Sequence, residues 1–389
     1  MGAGSRTGAR LATLACVFGV IAACGSTGTA RVATHRGHRS TPTGASCGAL
    51  RRYYIAADTV DWDYAPTGRN GVTGEDFDDD ANVFVEHGPH RIGRVYRKSL
   101  YREYTDRTFT TLKPRPAKWK HLGTLGPMIQ AEVGDIIKIT FRNNTPFPAS
   151  MHPHGVFYAK SSEGAPYADG TSGADADDDA VPPGGTHTYV WKVPERAGPG
   201  PMDGSTALWM YHSHTDEVAD TYAGLVGPMV VTRKGMARPD GSPRDVDREF
   251  VTMYEVDDEN QSLWIHDNIE EKGDGATDAD LDDEEFGESN LMHSINGFVY
   301  GNIPGLSMRV GDRVRWYVLG MGTEVDLHTP HWHGNTVTAM GMRTDVVQIL
   351  PGGMVTADMT VDNPGTWLMH CHVNDHILAG MIGLYTVTS

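Results

Sequence analysis

The chain has 389 residues, 39% of them hydrophobic and 8% aromatic, enough for a packed core and for two domains of ordinary size. Its formal net charge of −17 argues against nucleic acid or an anionic membrane surface as a partner. With 46 glycines, 22 prolines and no long run of helical period, the composition predicts an all-β protein.

The N-terminus reads as a targeting segment. Arg6 and Arg10 precede an apolar run over 11–23 that is too short to remain as a membrane-spanning helix. The run ends Ile-Ala-Ala-Cys before Gly25, and residues 1–24 resemble a bacterial lipoprotein signal. On that reading the chain is exported, and Cys24 carries lipid that tethers it to a membrane surface. Cleavage as an ordinary signal, followed by secretion, is the other reading. Residues 25–48 are rich in Ser, Thr, Gly and Arg and predict a flexible tether. Of the four cysteines, Cys16 leaves with the signal, Cys24 takes the lipid and Cys47 lies in the tether. Cys371 has a better use, so no intrachain disulfide is expected.

The remainder divides into two similar halves, 49–235 and 236–389, with the boundary near 233–245. The stretch 125–155 (LGPMIQAEVGDIIKITFRNNTPFPASMHPHG) and the stretch 303–334 (IPGLSMRVGDRVRWYVLGMGTEVDLHTPHWHG) share alternating strands, a Gly-Asp turn and a terminal His-x-His-Gly. Further on, 209–231 (WMYHSHTDEVADTYAGLVGPMVV) matches 367–387 (WLMHCHVNDHILAGMIGLYTV). A repeat of this size predicts two copies of one β-domain, and short alternating strands with Gly/Pro turns point to Greek-key sandwiches or barrels. Two acidic runs, 174–180 and 255–288, read as solvated loops; the sharper reading is a field that attracts cations.

Four His-x-His motifs occupy corresponding positions: 152/154, 212/214, 331/333 and 370/372. On a strand, alternate side chains share a face, so each motif presents two imidazoles together. In His370-Cys371-His372 the cysteine then points the other way, and two metal sites can sit back to back. A structural zinc site would be expected to show paired cysteines, and no Cys-x-x-Cys occurs. Two histidines, one thiolate and a weak axial methionine suit a blue-copper centre, and His328, Cys371, His376 and Met381 have those types in a suitable order.

The four motifs resemble those of multicopper oxidases, built from cupredoxin domains. In detail YYIAADTVDWDYAP, YREYTDRTFT, ESNLMHSINGFVYGN and GMGTEVDLHTPHWHG resemble the ceruloplasmin and hephaestin branch. The resemblance implies two cupredoxin-like Greek-key domains in tandem and four coppers per chain. Type 1 copper would take His328, Cys371, His376 and axial Met381. Type 2 would take His152 and His331. The type 3 pair would take His154, His212, His214, His333, His370 and His372. The implied reaction removes single electrons from a substrate at type 1 copper and reduces O2 to water at the three-copper cluster. Fe(II) is the favoured substrate, held by Glu288, His293 and Asp375; phenols and aromatic amines are the alternative. A metal-free cupredoxin that only binds partners is a distant third.

Aligning the halves adds a reading of its own. His328 falls opposite Ala149, Cys371 opposite Ser213, His376 opposite Val218 and Met381 opposite Leu225. The first half is therefore expected to hold no blue copper while keeping four cluster histidines. Since both halves supply the cluster equally, it must lie where two domains meet. Ceruloplasmin-like proteins close six domains into a ring, so the resemblance implies that three copies of this two-domain chain form a similar one: a homotrimer, with each cluster shared between the first domain of one chain and the second of its neighbour. A cluster within a single chain is the alternative.

Overall fold

The structure, a computed structural model, describes residues 48–389. The signal, the lipidation at Cys24, Cys47 and nearly all of the tether lie outside the described residues. Within them strands dominate, and the longest helix is Ile265–Lys272.

Two four-stranded sheets use residues 50–232. One runs in the order Val95–Glu103, Leu50–Asp63, Ile136–Asn143, Thr186–Lys192. The other runs Ile129–Glu132, Val226–Thr232, Thr206–His212, His152–Pro153. Residues 248–388 repeat the pattern. Arg248–Asp258 lies between Leu291–Ile295 and Arg313–Gly320, which is followed by Met354–Thr360 and the short hairpin Val337–Ala339 and Met342–Thr344. Facing it are Ser307–Arg309, Ile382–Thr388, Gly365–Cys371 and Pro330–Trp332. Pair directions correspond too: Ile129–Glu132 is parallel to Val226–Thr232, as Ser307–Arg309 is to Ile382–Thr388. Mixed pairing between two facing sheets is a sandwich architecture.

The Gly-Asp turns of the repeat work alike. Gly134 (φ +100°) and Gly311 (φ +89°) take the left-handed conformation that a side chain disfavours. The following aspartate closes the turn: Asp135 accepts from the Glu132 N–H at 2.9 Å and Asp312 from the Arg309 N–H at 2.9 Å.

Apolar side chains of the described residues form four cores. One fills the first sandwich around Ile137, Ile139, Phe141, Trp191 and Met229. Another fills the second around Phe250, Trp316, Trp332, Cys371 and Tyr385. Between them, Val226, Val230, Val251, Met253, Tyr317 and Leu319 form a third. Strand alternation explains this: Val251 and Met253 face the middle core while Phe250 and Tyr254 face the second sandwich. The fourth lies around Tyr64, Phe84, Ile265, Phe286 and Tyr300.

The start of the acidic run 255–288 departs from the expectation of a solvated loop, while later members such as Glu270, Asp274, Asp278 and Glu284 are exposed. Glu255, Asp257 and Glu259 are buried at the end of Arg248–Asp258, where Lys98 from the first half pairs with Asp257 and Glu259 and Tyr64 donates to Glu259. Burial of this kind requires partners, which Lys98 and Tyr64 supply to Asp257 and Glu259, while Glu255 Oε1 has no hydrogen-bond partner. In 174–180, Asp178 is likewise buried and accepts from the Gly164 N–H at 2.7 Å.

Candidate metal centres

Strand pairing brings the C-terminal donors together. Pro330–Trp332 runs antiparallel to Gly365–Cys371, setting Pro330 opposite Cys371 and His331 opposite His370. His328 just precedes the first strand, and His376 sits on the short helix Asn374–Leu378. Met381 folds back beside Cys371: its carbonyl accepts from the Cys371 N–H at 3.1 Å, and it is fully buried.

His328, Cys371 and His376 form a buried group. The two Nδ1 atoms are 3.2 Å apart and lie 3.8 and 3.7 Å from the Cys371 Sγ. A metal about 2.0 Å from each nitrogen and about 2.3 Å from sulfur separates its donors by such distances. A fully buried thiol between two imidazoles suits copper better than hard, oxygen-seeking cations. Burial pushes the Cys371 thiol up, but His328, His376 and the N–H groups of Thr329 and Val373 more than offset it, bringing it down to about 6. The thiolate that a metal needs is thus favoured near neutral pH.

Across the strand lies another donor set. His331, His333 and His370 place their nitrogens within 4.8 Å of one another, and His372 stacks on His331 with centroids 5.2 Å apart. The first half holds a matching quartet. His154 and His212 bring their Nε2 atoms to 3.2 Å, and the His152 and His214 rings are 5.3 Å apart. Burial lowers the pKa of His152, His331 and His370, and brings His154 and His212 to about 4. These imidazoles are neutral at pH 7, with lone pairs available to a metal. Among the described residues, every close ring pair between two of these eight histidines lies within one quartet; none bridges the two.

The first half shows what replaces the thiolate. Ser213 accepts from the Ser150 N–H at 3.0 Å, as the Cys371 sulfur does from Thr329, and donates to Asp220 at 2.6 Å. Its N–H bonds the Leu225 carbonyl at 3.0 Å, as that of Cys371 bonds Met381. The frame is kept, but Ala149 and Leu225 are buried apolar groups and Val218 is exposed.

Of the residues expected at an iron site, His293 is brought to the buried group. Its ring is 5.3 Å from that of His376, and burial, with His376 next, lowers its pKa to about 4. Glu288 and Asp375 are both exposed, on the helices Glu284–Ser289 and Asn374–Leu378. Among the described residues, neither joins a set of three donors within 4.8 Å.

Some supporting residues escape a reading by ligand type. Trp209 and Trp367 each press on the glycine of a His-x-His-Gly, Gly155 (φ +75°) and Gly334 (φ +72°). A Cβ there would meet the indole at 2.3 and 2.6 Å. The signal was available: the tryptophan stands three residues before the histidine in both repeats. Asp326, two residues before His328, accepts from His328 Nε2 at 3.0 Å and is fully buried.

Two family models described as multicopper oxidase match residues 122–236 and 275–389, between them more than half of the chain. The chain belongs to the multicopper oxidase family. Within that family it is 47% identical over 340 residues to ferroxidase HEPHL1 of Mus musculus, covering 87% of this chain and 29% of that protein. It is 45% identical to hephaestin of Homo sapiens, covering 88% of this chain and 30% of the relative, and 45% identical to ceruloplasmin of Rattus norvegicus, covering 87% and 32%. The chain thus spans about a third of the length of these relatives. A crystal structure of a multicopper oxidase superposes with a TM-score of 0.54 at 19% identity, covering 87% of this chain and 89% of that one, which shows a shared fold.

Proposed function

We propose that this multicopper oxidase is a ferroxidase that couples oxidation of Fe(II) to reduction of O2. The observation that carries the reading is the back-to-back arrangement on one strand. Cys371 lies in a buried His-Cys-His group, while its neighbours His370 and His372 belong to a histidine quartet. Copper bound at these groups would supply one-electron redox chemistry on one side and oxygen reduction on the other. The protein fixes the donors, lowers the thiol pKa and keeps the imidazoles neutral. His370 Nδ1 also bonds the Cys371 carbonyl at 2.7 Å, a short connection between the two sets.

Residue roles follow that reading. His328, Cys371, His376 and Met381 hold type 1 copper. His152 and His331 hold type 2, and the other six cluster histidines hold the type 3 pair. Domains 49–235 and 236–389 each contribute one quartet. Since the quartets stay apart within the chain, the cluster forms between chains, and a homotrimer gives each quartet a partner. Outside the cytoplasm, lipid on Cys24 holds the assembly at a membrane surface; the intact mass of the mature N-terminus tests this.

Iron is favoured by His293 against His376, with Asp375 on the same short helix, because carboxylates suit Fe(II) and favour the Fe(III) product. One observation favours phenols and aromatic amines as a second substrate class. Leu327, Leu350 and Leu378, neighbours in sequence of the buried group and of the Ile349 that pairs with His328, are exposed. Comparing kcat/KM for Fe(II) and for a phenol in wild type and in Glu288→Ala/Asp375→Ala separates the two. Selective loss of Fe(II) oxidation supports the iron site; unchanged Fe(II) oxidation overturns it. Optical and EPR spectra of the copper-loaded protein test the frame. One intense blue band per chain, a type 2 signal and a near-ultraviolet shoulder are expected; two blue coppers per chain, or none, contradict it.

A further inference from the structure

We propose that Asp326 is a positioning residue that fixes the orientation and tautomer of His328 and thereby lowers the reduction potential of the type 1 copper. The inference rests on the reading of His328, Cys371 and His376 as that copper's ligands.

The geometry is specific. His328 turns Nδ1 toward Cys371 and His376 and Nε2 toward Asp326. The Asp326 carboxylate also accepts from the Val256 N–H and the Thr323 N–H, each at 2.7 Å. Two backbone N–H groups already hold the carboxylate as an acceptor, so the tautomer of neutral His328 that completes the contact carries its proton on Nε2. Nδ1 is left free for a metal. A buried carboxylate held by two backbone donors cannot swing away, and the ring plane is fixed with it.

The backbone is shaped around this contact. Gly322 adopts φ +107°, and a Cβ there would lie 2.0 Å from the Asp326 carboxylate. Only a residue without a side chain lets the loop close over the aspartate.

The repeat supplies an internal control. Asp326 falls opposite Phe147, just as His328 falls opposite Ala149. Phe147 instead packs edge-on against Trp264, with centroids 5.1 Å apart. Gly322 falls opposite Asn143, whose amide donates to the carbonyls of Phe147 and Val181. The half without the copper ligands builds the same loop by other means. The carboxylate is therefore present where a copper histidine needs orienting and absent where none exists.

A carboxylate accepting from the remote nitrogen raises the basicity of the imidazole and favours the higher charge on the metal. Asp326→Asn keeps the side-chain size and removes the charge. Its copper-loaded form is expected to remain blue, with a shifted charge-transfer band and a reduction potential above that of wild type. Gly322→Ala, which touches no ligand, should move the potential in the same direction by displacing the carboxylate. A blue Asp326→Asn protein with unchanged band and potential would overturn the inference while leaving the copper assignment intact. A wild type without a blue band would instead defeat that assignment. A third readout needs no variant. Pulsed EPR of the wild type should show unequal quadrupole couplings for the two remote imidazole nitrogens, and equal couplings would also count against Asp326.

Discussion

Cys371 and Ser213 occupy the same place in two copies of one frame, with the same N–H donor and the same carbonyl acceptor. What differs is the set of side chains that meet there. Replacing Cys371 by Ser should abolish the intense blue band and lower Fe(II) oxidation by roughly a hundredfold or more, because a hydroxyl is not a thiolate ligand. EPR should still detect the type 2 copper. The converse change, Ser213→Cys, should create no second blue centre, since Ala149 and Val218 offer no imidazole. It should also cost about 1–3 kcal/mol in chemical unfolding, because buried Asp220 loses a hydroxyl donor at 2.6 Å. The proposed donors stand out in the sequence because cysteine is scarce and the His-x-His motifs are regularly spaced. Asp326 does not, because an aspartate is common in loops and only its burial and bond to His328 distinguish it.

Strands explain both what could be read and what was misread. Ile136–Asn143 and Met354–Thr360 alternate buried with less buried positions, so their period of two is visible. Arg248–Asp258 is buried on both faces and loses that period. Its C-terminal end carries Glu255 and Asp257, so composition alone made it part of an acidic loop. Glu288 and Asp375 stand out by residue type, whereas the distance between their side chains depends on how two short helices pack, which a linear pattern does not carry. The Gly–Trp contacts belong to this scale as well. Gly334→Ala combines a left-handed φ with a clash against Trp367, and is expected to destabilise the fold by about 2–3 kcal/mol. Thermal unfolding measures the loss. Copper content should fall too, because the same turn aims His331 and His333.

At the scale of the whole molecule, the two halves are joined by a shared apolar core and a buried ionic group. Lys98 bonds Glu259, and Tyr64 donates to Glu259 at 2.5 Å. Burial raises the Glu259 pKa from an ordinary 4.5 to about 7, although Lys98 and Tyr64 act to lower it. The folded protein thus holds this proton more tightly than the unfolded chain does. The associated stability is complete below pH 4.5, falls as pH rises and is gone above about pH 7. Wild-type Tm should therefore fall more steeply than that of Glu259→Gln between those limits. The proposed trimer can be tested by mixing two inactive variants. A chain with His212→Ala and a chain with His370→Ala should recover O2 consumption when reassembled together, because one kind of junction keeps both quartets; a cluster within one chain would give no recovery. The separation of the quartets has a further consequence for a newly made chain. Alone, it presents two partly open imidazole faces, and imidazole suits zinc and nickel as well as copper. In the proposed trimer, closing the ring would enclose each of these half-sites, so that the order of metal loading and assembly would decide which ion is kept.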